Sequence, residues 1–244
     1  MKNEQRIHIG TSGWRYEHWR GSFYPKSLST DKMLAYYSKH LQSVEIKSSF
    51  HQLPQKDTFL TWRDTCHSKF KFTIKAHRYI THIKMLKDAI KTLSLMLERI
   101  KILEFNLGPI LFELPSRWRF NVNRLDEFLD QIPNHYNYAF EFRDPSWYNS
   151  KTYKILSKHG ASFCIYDLAG HQSPKEITSD FVYIRLHGPQ GPSGGKYDNN
   201  SLIEWANTFY SWAHEGKEIF CYFDNDESGY AVSNALKLHK MINS

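Results

Sequence analysis

The chain has 244 residues, of which 41% are hydrophobic and 16% aromatic, enough to fill the core of one large α/β domain or two small ones. Its 32 basic against 25 acidic residues leave a formal net charge of +7, a moderate excess that permits attraction to phosphates but is spread along the chain. Three cysteines, Cys66, Cys164 and Cys221, form no C-x-x-C pair and argue against a disulfide framework; with no apolar leader or membrane-length apolar run, the expectation is a cytoplasmic protein away from the membrane.

Short β-rich segments recur at Ile7 to Gly10, Val44 to Ser48, Phe70 to Ala76, Pro109 to Leu114, Asn137 to Phe142, Ser162 to Asp167, Phe181 to His187 and Ile219 to Asp224. Helical patterns fill most of the intervals. Asp31 to His40 carries Met33, Leu34 and Tyr37 behind Ser29 and Thr30 as caps, and Leu86 to Leu103 repeats Ile90, Leu93, Leu97 and Ile100 at helical spacing. Asn123 to Ile132 stops at Pro133. Asp144-Pro145 reads as an N-cap and first-turn proline of a helix ending near Gly160. Leu202 to Ala213 stops near Gly216, and Ser228 to Met241 follows. Strands alternating with helices imply a parallel sheet, and about eight such units in a chain of this length predict a TIM-type (β/α)8-like barrel, one domain over residues 1–244. A doubly wound sheet with an appended subdomain is the alternative.

Strand alternation puts successive side chains on opposite faces, so Val182, Ile184 and Leu186 turn toward the helices while Tyr183, Arg185 and His187 turn inward. The same reading sets Val44 and Ile46 against Glu45 and Lys47, Phe72 and Ile74 against Thr73, Lys75 and His77, Phe112 against Glu113, and Phe140 and Phe142 against Glu141 and Arg143. Asp167 and Asp224 end the sixth and eighth strands and are counted with the inward set. Carboxylates, cations and imidazoles thus meet at the strand C-terminal ends, where active sites of this fold lie. The alternative is a salt-bridge network that only stitches the strand ends together.

Gly10-Thr11-Ser12-Gly13-Trp14, Trp19, Phe23-Tyr24-Pro25, Val44-Glu45-Ile46, Leu53-Pro54, Lys75-Ala76, Thr81-His82, Glu141-Phe142-Arg143, Ser146-Trp147, Arg185, His187-Gly188, Phe223 and Asn225-Asp226 stand in an order that resembles the DUF72, or YecE-like, family. The resemblance runs from about residue 7 to residue 240 and implies a TIM-type barrel whose activity is not established. The likeness of such barrels to sugar isomerases and metal-dependent endonucleases suggests nucleic-acid processing. Lys47, His51, His77, Glu113 and Asp224 depart from residues the family usually carries, Asn, Tyr, Pro, Gln and Asn respectively.

The chemistry that fits is acid–base work on an anionic, phosphorylated or nucleotide-like ligand. Glu141 or His187 serves as acid or base and Lys75 or Arg185 stabilises negative charge, Lys75 being also a candidate Schiff-base lysine. Arg143, Arg185, Asp167, Asp224, Gly188 and Trp14 are expected to bind the ligand. The Gly188 to Gly195 loop is either an anion cradle or a mobile surface segment, and the aromatic loop from Trp14 to Tyr24 is either a stacking surface or a cover for the barrel end. No cofactor is required by these residues. A metal-dependent phosphodiesterase or endonuclease-like hydrolase with a divalent metal on Glu113, Glu141, Asp167, His187 and Asp224, and a non-catalytic nucleic-acid surface built on the aromatic loop and a basic rim of Arg78, His82, Lys84, Arg117 and Arg119, are the rival readings.

Overall fold

Strands whose outer faces carry Val, Ile, Leu and Phe must bury that face under helices, while polar inner faces need one another. Closing the sheet on itself meets both demands. In the computed structural model, which describes residues 6–191 and 193–243, β1 (Ile7–Ser12), β2 (Ser43–Ile46), β3 (Lys71–Lys75), β4 (Leu107–Leu114), β5 (Tyr138–Phe142), β6 (Ser162–Leu168), β8 (Phe181–Gly188) and β9 (Glu218–Phe223) form one all-parallel barrel. It is closed by the pairings of β1 with β9 and of β5 with β6. The two-residue β7 (His171–Gln172) folds back antiparallel onto the end of β6.

Around the barrel lie α1 (Met33–Tyr37), α2 (Lys56–Thr65), α3 (Ile90–Ile100), α4 (Val122–Gln131), α5 (Ser150–Lys158), α6 (Asn199–His214) and α7 (Tyr230–Ile242). The sixth connection holds no helix and runs as the β7 hairpin and an extended segment into β8. Helix α2 is absent from the sequence-based expectation because its apolar stripe is thin: Phe59 is its one buried side chain, with Trp62 partly covered. The segment expected as a helix from Leu86 begins only at Ile90, and residues 101–106 tighten into a 3-10 turn. Asp144 does cap a turn, its carboxylate accepting from Ser146 N, but that turn is the short 3-10 segment Pro145–Trp147. Asn149 caps α5, accepting from the N–H groups of Lys151 and Thr152.

The outer core between strands and helices is aromatic and aliphatic, with Trp19, Tyr37, Phe59, Phe72, Phe112, Phe128 and Trp147 fully buried. A second, smaller core fills the barrel interior with Leu111, Ala139, Cys164, Phe181, Tyr183, Phe220 and Tyr222. Its polar atoms are paired, as a dry interior demands. The Tyr222 hydroxyl meets Ser43 Oγ at 2.5 Å and Thr73 Oγ1 at 2.7 Å, spanning the barrel. Gly10 makes room for that crossing: a Cβ there would lie 2.0 Å from Ser43 O and 3.3 Å from the Tyr222 ring. No helix among the described residues is long and apolar enough to cross a membrane.

Candidate functional site

Above the apolar interior, the inward positions of β2, β4, β5 and β8, and Asp224 just past β9, change to charge. Glu113 and Glu141 are register partners on β4 and β5, so two like charges face each other across adjacent strands. Such a pair is destabilising unless a cation joins it. Arg185, 1% exposed, supplies that cation: its Nη1 donates to Glu113 Oε2 and Glu141 Oε2, each at 2.8 Å, and its Nη2 to Glu45 Oε1 at 2.8 Å and Asp224 Oδ2 at 3.1 Å. Glu45 is held further by Ser12 Oγ at 2.8 Å and the Tyr183 hydroxyl at 2.6 Å. Only Arg185 Nε finds no acceptor among the described residues.

A second tier of cations closes over this knot. Lys75 Nζ lies 3.0 Å from Glu113 Oε2 and 4.4 Å from the Phe50 ring centroid. Arg143 Nε approaches Glu141 Oε1 at 2.5 Å as an ion pair without hydrogen-bond alignment, its Nη2 lies 3.4 Å from Glu113 Oε2, and its guanidinium covers the Tyr166 ring at 4.9 Å. Lys47 Nζ pairs with Asp224 Oδ1 at 3.2 Å. Glu45, Glu113, Glu141 and Asp224 therefore match Lys47, Lys75, Arg143 and Arg185 in charge, one for one. Two of the departures from the family pattern, Lys47 and Asp224, are partners of each other. A third, His77, places its Nε2 3.1 Å from the carbonyl of a fourth, His51.

Burial alone would raise these carboxyls, but the cations win. Glu141, with no exposed surface, is held well below the usual carboxylate range by Arg143, Arg185 and His187. Glu113 is lowered by Arg185, Lys75 and Arg143 against burial and the Glu141 charge, and Asp224 is lowered by His187, Arg185 and Lys47. His187 sits at the rim of this network. Its Nε2 lies 2.9 Å from Arg143 Nη2, where it accepts because a guanidinium only donates, and 3.3 Å from both Arg185 Nη1 and Glu141 Oε1; its Nδ1 is 3.4 Å from Asp224 Oδ2.

The site residues expected from sequence fall into two groups. Lys75, Glu141, Arg143, Arg185, His187 and Asp224 come together in this one cluster. Asp167, Gly188 and Trp14 do not. Asp167 shares the helix-facing side of β6 with Phe163 and Ile165, and burial pushes its carboxyl above its ordinary value. Gly188 spends its N–H on the Tyr197 hydroxyl at 3.1 Å, and Gly194 spends its own on Gly191 O, so neither is free to cradle an anion. The loop between them is pinned by Asn225 Nδ2 to Gly195 O and by Glu227 N to Ser193 O; Pro192 lies outside the described residues. Trp14 is buried edge-on against Trp62, and Trp19 and Tyr24 are buried with it, so this loop covers the barrel end.

A cavity of about 680 Å³ opens over the cluster, with Glu113, Arg143, Tyr166 and His187 in its lining. His82 lines it too and was expected only as part of a basic rim. It belongs to a single π-helical turn, Tyr79–Ile83, followed by Met85 and Leu86 at φ values of 46° and 65°, which non-glycine residues rarely adopt. Its Nδ1 is 2.9 Å from Thr81 Oγ1 and its ring stands edge-on to Phe50, while Nε2 has no partner among the described residues. Burial lowers its pKa from the ordinary value; Glu113 opposes this, and Lys75 and Arg78 reinforce it. The signal available in the sequence was its place in the loop after the third strand, on the C-terminal side of the barrel.

The profile of the family described as "Protein of unknown function DUF72" matches residues 8–244. The chain belongs to the DUF72 family. This DUF72 barrel is 25% identical over 273 aligned positions to the UPF0759 protein YunF of Bacillus subtilis, covering 97% of this chain and 94% of YunF. It is 27% identical over 143 positions to the UPF0759 protein YecE of Escherichia coli, an alignment that spans 58% of this chain and half of YecE. Among solved structures, a DUF72 family protein from Thermotoga maritima superposes with a TM-score of 0.88 at 27% identity, covering 98% of this chain and 99% of the other. A DUF72 family protein from Enterococcus faecalis has a TM-score of 0.82 at 20% identity over 98% of this chain and 96% of its own, a likeness of fold.

Proposed function

We propose that this DUF72 barrel is an enzyme that takes a small anionic, phosphorylated or nucleotide-like ligand into the mouth cavity and carries out acid–base chemistry on it. The observation that carries this reading is Arg143: Glu141, Glu113 and His187 hold its guanidinium, Tyr166 supports it, and it lines the cavity that His82 also lines. An incoming anion competes with the Glu113 carboxylate for Arg143 and Lys75, while Glu113 keeps Arg185 Nη1 at 2.8 Å. His82 Nε2, unpartnered and favoured in its neutral form, is the proton acceptor of choice. Glu141 and His187 act through Arg143 and are positioning residues, since Glu141 has no exposed surface and the His187 Nε2 lone pair already receives a proton donor. Lys75, engaged by Glu113 and the Phe50 ring, holds the anion and does not serve as a Schiff-base nucleophile.

A glycosidase built on Glu113 and Glu141 is disfavoured because Glu141 lies beneath the arginines, out of reach of a sugar ring. A metal-dependent phosphodiesterase is disfavoured because Arg185 already occupies the oxygens of Glu45, Glu113, Glu141 and Asp224 where they converge.

Incubation with a panel of phosphorylated metabolites, followed by phosphorus NMR and thermal shift, tests the proposal. Arg143→Met weakens ligand-induced stabilisation by about tenfold in ligand concentration, and His82→Asn keeps binding but loses turnover. If no member of the panel is bound or consumed, or if both variants behave as wild type, the proposal fails. Exposed Arg78, Arg117 and Arg119, none in an ion pair among the described residues, favour nucleic-acid binding as the second reading. That mode survives His82→Asn and weakens steeply with salt.

A further inference from the structure

A separate group of lysines lies at the end of the barrel opposite the mouth. A cavity of about 650 Å³ sits at the N-terminal ends of β1, β3 and β9, a size typical of small-molecule sites. Lys39, Lys69 and Lys71 line it. Lys39 and Lys69 are exposed and make no ion pair among the described residues, while Lys71 Nζ donates to Phe105 O at 2.7 Å. The one acid in the lining, Glu218, is taken by His8, whose Nε2 lies 2.8 Å from Glu218 Oε1. In the cluster beneath the mouth, by contrast, Lys47, Lys75, Arg143 and Arg185 are each met by a carboxylate.

Two further features point to an occupant. The His8 side chain is 9% exposed and stacked on Phe220 at 4.6 Å, yet its Nδ1 is buried with no hydrogen-bond partner, an unmet polar demand beside the cavity. At the lip, Phe105 is 82% exposed. Its outward pose follows Glu104 at φ 50° and ψ −123°, a conformation that glycine tolerates and glutamate does not, so backbone strain is spent on a ring that contributes little to the core.

We propose that this pocket binds a mononucleotide, with its phosphate on Lys39, Lys69 and Lys71 and its base stacked on Phe105. Three lysines beside a single acid that His8 already engages supply the phosphate charge, and an exposed phenyl face is what a base needs to stack. The site is separate from the mouth and does not depend on the reading of the mouth.

Calorimetric titration with adenosine monophosphate, adenosine and inorganic phosphate tests it on the full chain, with near-ultraviolet circular dichroism confirming that each variant is folded. The wild type binds the monophosphate saturably and adenosine far more weakly. The Lys39→Glu, Lys69→Glu double variant loses at least about tenfold in affinity for both phosphate and monophosphate. Phe105→Ala loses about tenfold for the monophosphate and nothing for phosphate. Arg143→Met leaves this binding unchanged, which separates it from the mouth. The proposal is overturned if the monophosphate does not saturate at millimolar concentration. It is equally overturned if Arg143→Met removes binding that the lysine variant keeps, or if an oligonucleotide binds far more tightly with no effect of Phe105→Ala.

Discussion

Replacing Arg185 by methionine keeps an unbranched apolar stem and removes the cation to which four carboxylates converge. Glu113 and Glu141 retain Arg143 and Lys75 in part, and Asp224 retains Lys47. Glu45 retains only Ser12 and Tyr183, neutral donors, so it becomes a fully buried charge with no counter-ion. Breaking a buried pair in this way costs about 3–5 kcal/mol, a large share of the roughly 5–15 kcal/mol by which domains are stable. The pH dependence follows from the depressed carboxyls. Glu113, Glu141 and Asp224 have folded-state values below their unfolded ones, so in the wild type their contribution is fully present above about pH 5 and is lost as pH falls through the folded values. Arg185→Met removes part of that contribution, so its deficit is largest near about pH 7 and shrinks toward about pH 4, where protonated carboxyls no longer need the cation. Urea unfolding followed by circular dichroism at the two pH values reads both. Adding Glu45→Gln to Arg185→Met should restore part of the loss, because the amide keeps hydrogen bonds without the charge. A deficit under about 1 kcal/mol at neutral pH, or one equal at both pH values, would refute the view that Arg185 neutralises the interior.

Gly188 sits at φ 117°, and a Cβ there would lie 2.1 Å from Gly194 O, a backbone atom. Gly188→Ala is therefore expected to cost about 2 kcal/mol or more by thermal unfolding, and a change within about 0.5 kcal/mol would show that the loop yields freely. The Lys47 and Asp224 pair is a weaker link, since the Lys47 side chain is 44% exposed. A double-mutant cycle with Lys47→Ala and Asp224→Asn should give a coupling below about 1 kcal/mol that falls with added salt, and a coupling above about 2 kcal/mol would mean that solvent does not screen it.

Chain alternation alone told which strand residues point inward for β2, β3, β4, β5 and β8, because a two-residue period needs no tertiary information. The same rule sets Asp167 beside Phe163 and Ile165, and counting it inward followed its position at the strand end and not its parity. The barrel, too, was legible: alternating strands and helices in a chain of this length leave few closed arrangements. What only the tertiary structure decided is which charge meets which. Glu45, Glu113, Glu141, Arg185 and Asp224 are separated by tens of residues, and their contacts depend on how the strands stagger around the barrel. Stagger is a property of the closed sheet, absent from any single strand. That closure turned Arg185 from a cation awaiting an anion into the buried counter-ion of four carboxylates, and turned His187 from a candidate acid or base into an acceptor for Arg143. It also moved the unpartnered imidazole to His82, on a loop whose path no periodicity describes.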